Sequence, residues 1–189
     1  MGTVDTSQFR NGLKLELDGQ PYVITYFQHV KPGKGGAFVR TKIKNLLTGR
    51  SVERTFRSGE KAQEANVEER AMQYLYHDGE NLVFMDTESY DQTPISEEGV
   101  GEAKQFLKEN TDVEVLFWNN KPVNIELPAF VELEVTKSDP GLKGDTSSGA
   151  TKPATLETGA EIQVPLFIKE GDILRIDTRT GEYAERKSG

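Results

Sequence analysis

The sequence predicts an all-β protein, with two small barrel-like modules followed by a third β-rich segment of about the same size. Apolar and polar residues alternate with the period of two that a half-buried strand requires, in run after run along the chain. The runs are short and are separated by turn pairs such as Asp18-Gly19, Asp78-Gly79 and Asn119-Asn120. Only residues 98–110 carry a helical period, with Val100, Ala103, Phe106 and Leu107 on one face.

The first barrel is read from residues 1–64. "LKLEL" (13–17) is a strand that turns at Asp18-Gly19 into "PYVITYFQHV" (21–30). A Gly/Pro turn leads to "AFVRTKIK" (37–44), and "SVERTFR" (51–57) is the fourth strand. In the third run Ala37, Val39, Thr41 and Ile43 share one face, while Phe38, Arg40, Lys42 and Lys44 share the other, because side chains alternate across a strand. "SGEKAQEAN" offers little to bury and reads as a linker. The second barrel, 65–128, has a hairpin at 69–86, a turn-rich "SYDQTPIS", the helix at 98–110 and a hairpin at 112–128. A handful of strands with one short helix suits a partly open Greek-key barrel of the oligonucleotide/oligosaccharide-binding (OB) type. The third segment, 129–189, is again all-β and opens with "FVELEVTKSDP" (130–140). After a Gly/Ser/Thr-rich loop (141–153) come "EIQVPLFI", "DILRID" and "EYAERK".

Charge separates these segments. Residues 1–64 carry 11 Lys/Arg against 6 Asp/Glu, net +5; residues 65–128 are net −10 and 129–189 net −3, within a chain of net −8. A basic segment in an acidic chain points to a polyanion met by one part only. No apolar run approaches the ~18–20 residues of a membrane helix, and no secretory signal pattern is present. "MGTVDT" fits a myristoylation pattern, but no polybasic stretch accompanies it. Cysteine is absent. A cytoplasmic monomer with no cofactor is expected.

The catalytic inventory is thin. His29 and His77 lie far apart, so metal is not expected. No G-x-S-x-G elbow occurs. "PGKGG" is not a Walker loop: Gly35 stands where Ser or Thr is needed, and a strand follows in place of a helix. A Schiff-base role for Lys34 would need a desolvated pocket that a Gly/Pro tip does not provide. Lys34, within Lys31, Pro32, Gly33, Gly35 and Gly36, then has two readings. It is a solubilising residue in a turn, or it is an ammonium held on a tip narrow enough to enter a crevice.

Three blocks decide between them. "HVKPGKGGAF", "FVELEV" with "DPGLKGDT", and "KPATLETGAEIQVPLFIKEG" (152–171), followed by "GEYAERK", resemble the bacterial translation elongation factor P family over the whole chain. Lys152, Ala154, Gly159, Val164, Pro165 and Gly171 fit the last block. The related eukaryotic hypusine-containing factor lacks a third domain. The resemblance implies an L-shaped arrangement of an SH3-like (KOW-type) barrel and two OB-folds. It implies a non-enzymatic factor bound to the 70S ribosome and its rRNA between the P and E sites, which relieves stalling at consecutive prolines. By position Lys34 is the residue that reaches the CCA end of peptidyl-tRNA and is a substrate for a lysine-modifying enzyme. Gly144, Asp145 and Thr146 match a loop near the mRNA in the exit site, and Tyr183 and Arg186 match residues near the tRNA anticodon stem. The chain departs from the pattern in "TSSGA" (146–150), where some members place an arginine. Arg40, Lys42 and Lys44 are the candidate RNA-facing cations. The competing reading is a generic RNA-binding β-barrel protein acting outside translation.

Overall fold

The structure, a computed structural model, describes residues 2–141 and 149–188. Its regular structure is mostly strands, in three antiparallel sheets. The first contains β1 (Thr3–Asp5), β2 (Lys14–Leu17), β3 (Gln20–Val30), β4 (Phe38–Asn45), β5 (Ser51–Arg57) and β6 (Lys61–Glu64), in the spatial order β1-β6-β2-β3-β4-β5. The second contains β7 (Val67–His77), β8 (Asn81–Asp86), β9 (Gln92–Ser96), β10 (Asp112–Trp118) and β11 (Lys121–Glu126), in the order β11-β10-β7-β8-β9. The third contains β12 (Phe130–Ser138), β13 (Thr151–Leu156), β14 (Glu161–Pro165), β15 (Ile173–Asp177) and β16 (Glu182–Ser188), in the order β14-β13-β12-β15-β16. The chain divides into two compact units, Met1–Glu69 with Leu116–Asn124, and Arg70–Val115 with Ile125–Gly189.

The alternation in sequence becomes burial. Along β4, Val39, Thr41 and Ile43 are buried and Arg40, Lys42 and Lys44 are exposed. The inward residues join Val4, Phe9, Leu13, Leu15, Leu17, Ile24, Phe56 and Ala62 in the core of the first sheet, where Phe9 meets Phe56 edge-on at 5.1 Å between ring centroids. Burying side chains of this size contributes about 1.5–3 kcal/mol each before entropy is charged against it. Thr41 is polar but satisfied, its hydroxyl donating to the Arg54 carbonyl at 2.7 Å. The third sheet has its own core around Leu133, Val135, Leu156, Val164, Ile168, Leu174 and Ile176.

Turn chemistry sets the registers. Asp18 and Gly19 both have positive φ, 52° and 74°, as the type I′ hairpin between β2 and β3 demands. Asn119 and Asn120, at 51° and 63°, do the same between β10 and β11. Asp86 accepts the backbone N–H groups of Glu88 and Ser89 in the turn from β8 to β9, and these bonds hold its carboxyl below the usual carboxylate range.

Three expectations are corrected. The predicted helix at 98–110 is a single α-helical turn, α1 (Glu97–Val100), followed by a 3-10 segment over Gly101–Phe106. Gly101 has φ +63°, a conformation that ends an α-helix, so the apolar period continues in a tighter winding. That segment still buries its apolar face: Phe106, 8% exposed, belongs to the core cluster of the third sheet. The expected linker contains β6, which pairs with β1 and β2 and buries Ala62 opposite Val4. Short polar strands are hard to see because one small buried residue is their whole apolar content. The turn-rich reading of "SYDQTPIS" gives way to β9, paired with β8 from Asn81↔Ser96 to Met85↔Gln92 and burying Ile95.

Candidate functional site

Strands β3 and β4 form a long hairpin whose pairing runs from Tyr22↔Asn45 up to Val30↔Phe38. Beyond the last pair the chain leaves the sheet, and Lys31, Pro32, Gly33, Lys34, Gly35 and Gly36 are all exposed. The base is fastened on its far side by the Ser58 N–H, which donates to the Ala37 carbonyl at 3.0 Å. Among the described residues Lys34 has no hydrogen-bond or ion-pair partner. Its ammonium therefore stands free on a tip whose root is fixed.

The glycines of this tip are not equivalent. Gly35 has φ +100°, which side-chain-bearing residues rarely adopt, so the turn itself requires glycine there. Gly33 and Gly36 lie outside the positive-φ region, and a Cβ added to either would meet nothing within 4 Å. The fold makes no demand for glycine at those two positions. A tip kept slender on both sides of Lys34, at the cost of extra chain entropy, is what close approach to another molecule would require.

Behind the tip, the outward residues of β3, β4 and β5 form cross-strand rows: Gln28–Arg40–Thr55, then Tyr26–Lys42–Glu53, then Val23–Lys44–Ser51. The three candidate cations share one face, spaced two residues or about 6.6 Å apart along the strand. None of the three is in an ion pair among the described residues, whereas Arg54 is paired to Asp18 at 3.1 Å and lies over the Phe56 ring.

Tyr26 is a member of this face that period-two reading missed. Strict alternation places Tyr26 on the same side as buried Ile24. A β-bulge intervenes: Ile24 pairs with Ile43 but Tyr26 with Lys42, leaving Thr25 as the extra residue. The Thr25 hydroxyl donates to the Lys42 carbonyl at 3.2 Å across the bulge. The phenol ring is thereby turned outward and is 51% exposed. A bulge leaves no mark in hydrophobic periodicity, so the sequence carried no signal for this residue.

The remaining candidates are placed less completely. Tyr183 and Arg186 both stand on β16, opposite Ile176 and Leu174. Tyr183 is half-buried against the core of the third sheet, and Arg186 is exposed, 3.8 Å from the Asp172 carboxylate and stacked over the exposed Phe167 ring. Gly144, Asp145 and Thr146 lie outside the described residues. The strands flanking that loop are fastened by Lys152, which is buried and donates its ammonium to the Asp139 carbonyl at 2.5 Å. No cluster of three or more His, Asp or Glu side chains able to hold a metal occurs among the described residues. No helix there is long and apolar enough to cross a membrane.

With this geometry established, comparison with known proteins gives a consistent result. Residues 5–62 match the family model described as the elongation factor P KOW-like domain, 67–125 the elongation factor P OB domain, and 131–186 the elongation factor P C-terminal domain. The chain is 55% identical over 183 residues to elongation factor P of Carboxydothermus hydrogenoformans, covering 97% of this chain and 99% of that one. It is 57% identical over 183 residues to elongation factor P of Moorella thermoacetica, with the same coverage. Among solved structures, eukaryotic translation initiation factor 5A from Methanococcus jannaschii superposes with a TM-score of 0.51 at 21% identity, over 67% of this chain and 92% of that one. An initiation factor 5A family protein from Naegleria fowleri gives 0.53 at 18%, over 67% and 98%. At those identities the two structures speak for the fold alone.

Proposed function

The chain belongs to the elongation factor P family and is a translation elongation factor; on that footing we propose that Lys34 is its working group, presented to peptidyl-tRNA on the 70S ribosome. The observation that carries this reading is the unpaired Lys34 on a tip whose flanking glycines, Gly33 and Gly36, the fold does not require. The protein binds between the P and E sites, and Lys34 reaches the CCA end of the P-site tRNA. Arg40, Lys42 and Lys44 face ribosomal RNA. The loop at Gly144, Asp145 and Thr146 approaches the mRNA, and Tyr183 and Arg186 approach the anticodon stem. Residues 1–64, 65–128 and 129–189 act as the three domains of a cytoplasmic monomer.

The chemistry this asks of the protein is positional. Proline is a hindered, rigid nucleophile, so consecutive prolines leave the reacting ends badly aligned. Holding the end of the peptidyl-tRNA removes orientational freedom before reaction, an effect worth several kcal/mol of barrier when geometry is good. No acid, base or metal is required of the protein for this. The amine of Lys34 is also the accessible group through which a modifying enzyme would lengthen the reach of the tip.

Co-sedimentation with 70S ribosomes tests the reading. The chain is expected to pellet with ribosomes at low salt, with an affinity that falls linearly in log–log form as salt rises, as phosphate contacts require. Failure to bind ribosomes at low salt would overturn it.

A further inference from the structure

We propose that Tyr26 is a stacking platform for an unpaired RNA base, with Arg40 and Lys44 on either side of it holding the flanking phosphates. The inference rests on the proposed RNA-facing role of the β4 cations and assigns to that face a contact that charge alone does not supply.

Four observations converge on Tyr26. The ring is exposed, although burial would stabilise it, and a bulge is spent on keeping it out. It lies opposite Lys42, in the middle of the three rows that carry Arg40, Lys42 and Lys44. Among the described residues none of these cations is in an ion pair; Lys42 stands opposite Glu53, whereas Arg40 and Lys44 stand opposite the neutral Thr55 and Ser51, so the charge of those two is available to a ligand. The ring forms one wall of a shallow groove of about 400 Å³ lined by Tyr26, Gln28, Arg40, Thr41, Lys42 and Glu53. Single-stranded nucleic acid is bound by this combination, an aromatic face for the base inside a cationic track for the backbone. Gln28 and Glu53, which also line the groove, add an amide and a carboxylate that a base edge can hydrogen-bond. An acidic protein segment could satisfy the cations, but single-stranded RNA brings a flat base and the flanking phosphates together in every nucleotide. That makes RNA the better fit.

The second sheet supplies an internal control. Tyr76 is 45% exposed and also follows a bulge, between Tyr74 and Tyr76, but its segment is strongly acidic. It has the aromatic face without the cationic track.

The test is equilibrium binding of the full chain to 70S ribosomes, at several salt concentrations, for wild type and for Tyr26→Phe, Tyr26→Leu, Tyr26→Ala and Tyr76→Ala. Tyr26→Phe keeps the ring and should bind within about twofold of wild type. Tyr26→Leu and Tyr26→Ala should each bind about tenfold more weakly, since one stacked base contributes a factor of about five to a hundred or more. Their salt slope should stay at the wild-type value, because every phosphate-binding cation is retained. Tyr76→Ala should bind like wild type. Leucine binding as well as tyrosine would overturn stacking and favour an apolar protein contact. Wild-type affinity in Tyr26→Ala would overturn the platform while leaving the ribosome reading intact. A wild-type chain that does not bind ribosomes would overturn both.

Discussion

Lys34→Ala is expected to abolish the stimulation of synthesis through consecutive prolines, reducing it at least tenfold in a reconstituted translation reaction. It should leave the unfolding midpoint where it was. Lys34 is exposed and without a partner among the described residues, so its loss removes no packing and no hydrogen bond. Substitutions at such positions ordinarily change stability by no more than about 0.5 kcal/mol. The separation of the two readouts is the point. A residue that merely solubilised the turn would change neither, and a structural residue would change both. Lys34→Arg sharpens the result. It keeps the charge, but it replaces a compact ammonium with a planar fork and removes the amine a modifying enzyme would use. It is expected to fail as well.

The second large effect is expected from the β4 face. Replacing Arg40, Lys42 and Lys44 together with Gln should weaken ribosome binding by about two orders of magnitude at low salt. The slope of log K against log salt should fall by about three, one for each phosphate that is no longer neutralised. Stability should not drop, because all three side chains are exposed and unpaired among the described residues. Removing three like charges spaced about 6.6 Å apart relieves mutual repulsion instead. An unchanged salt slope would show that this face does not meet phosphate, and would move the RNA-binding surface elsewhere on the chain. The two predictions are independent: the first concerns what happens once the factor is bound, the second whether it binds.

Much of this arrangement is legible in the sequence, for physical reasons that can be named. β5 and β10 have the bounds that the pattern predicts, because their apolar residues alternate or cluster between unambiguous turn residues. The outward direction of Arg40, Lys42 and Lys44 follows from the burial of Val39, Thr41 and Ile43, since a strand has only two faces. Where reading by period fails, something local intervenes. Gly101 adopts a left-handed φ and cuts the helix to one turn. β6 hides behind polar residues around a single buried alanine. The bulge at Thr25 reverses the direction of Tyr26, so alternation assigns to the core the residue that most distinguishes this face from a plain cationic surface. The dispensability of Gly33 and Gly36 to the fold is likewise out of reach, because a glycine's sequence context does not reveal whether its φ is positive or whether a Cβ would clash.

The central claim is that the tip carrying Lys34 is placed at the acceptor end of the P-site tRNA. The chain has no cysteine, so one introduced thiol would be unique. Gly36 tolerates it, with no positive φ and open space around the added Cβ. A hydroxyl-radical source tethered to Gly36→Cys, on ribosomes carrying peptidyl-tRNA stalled at consecutive prolines, should cut the P-site tRNA at its CCA end. Bound factor that leaves the CCA end intact and cuts elsewhere would contradict the account.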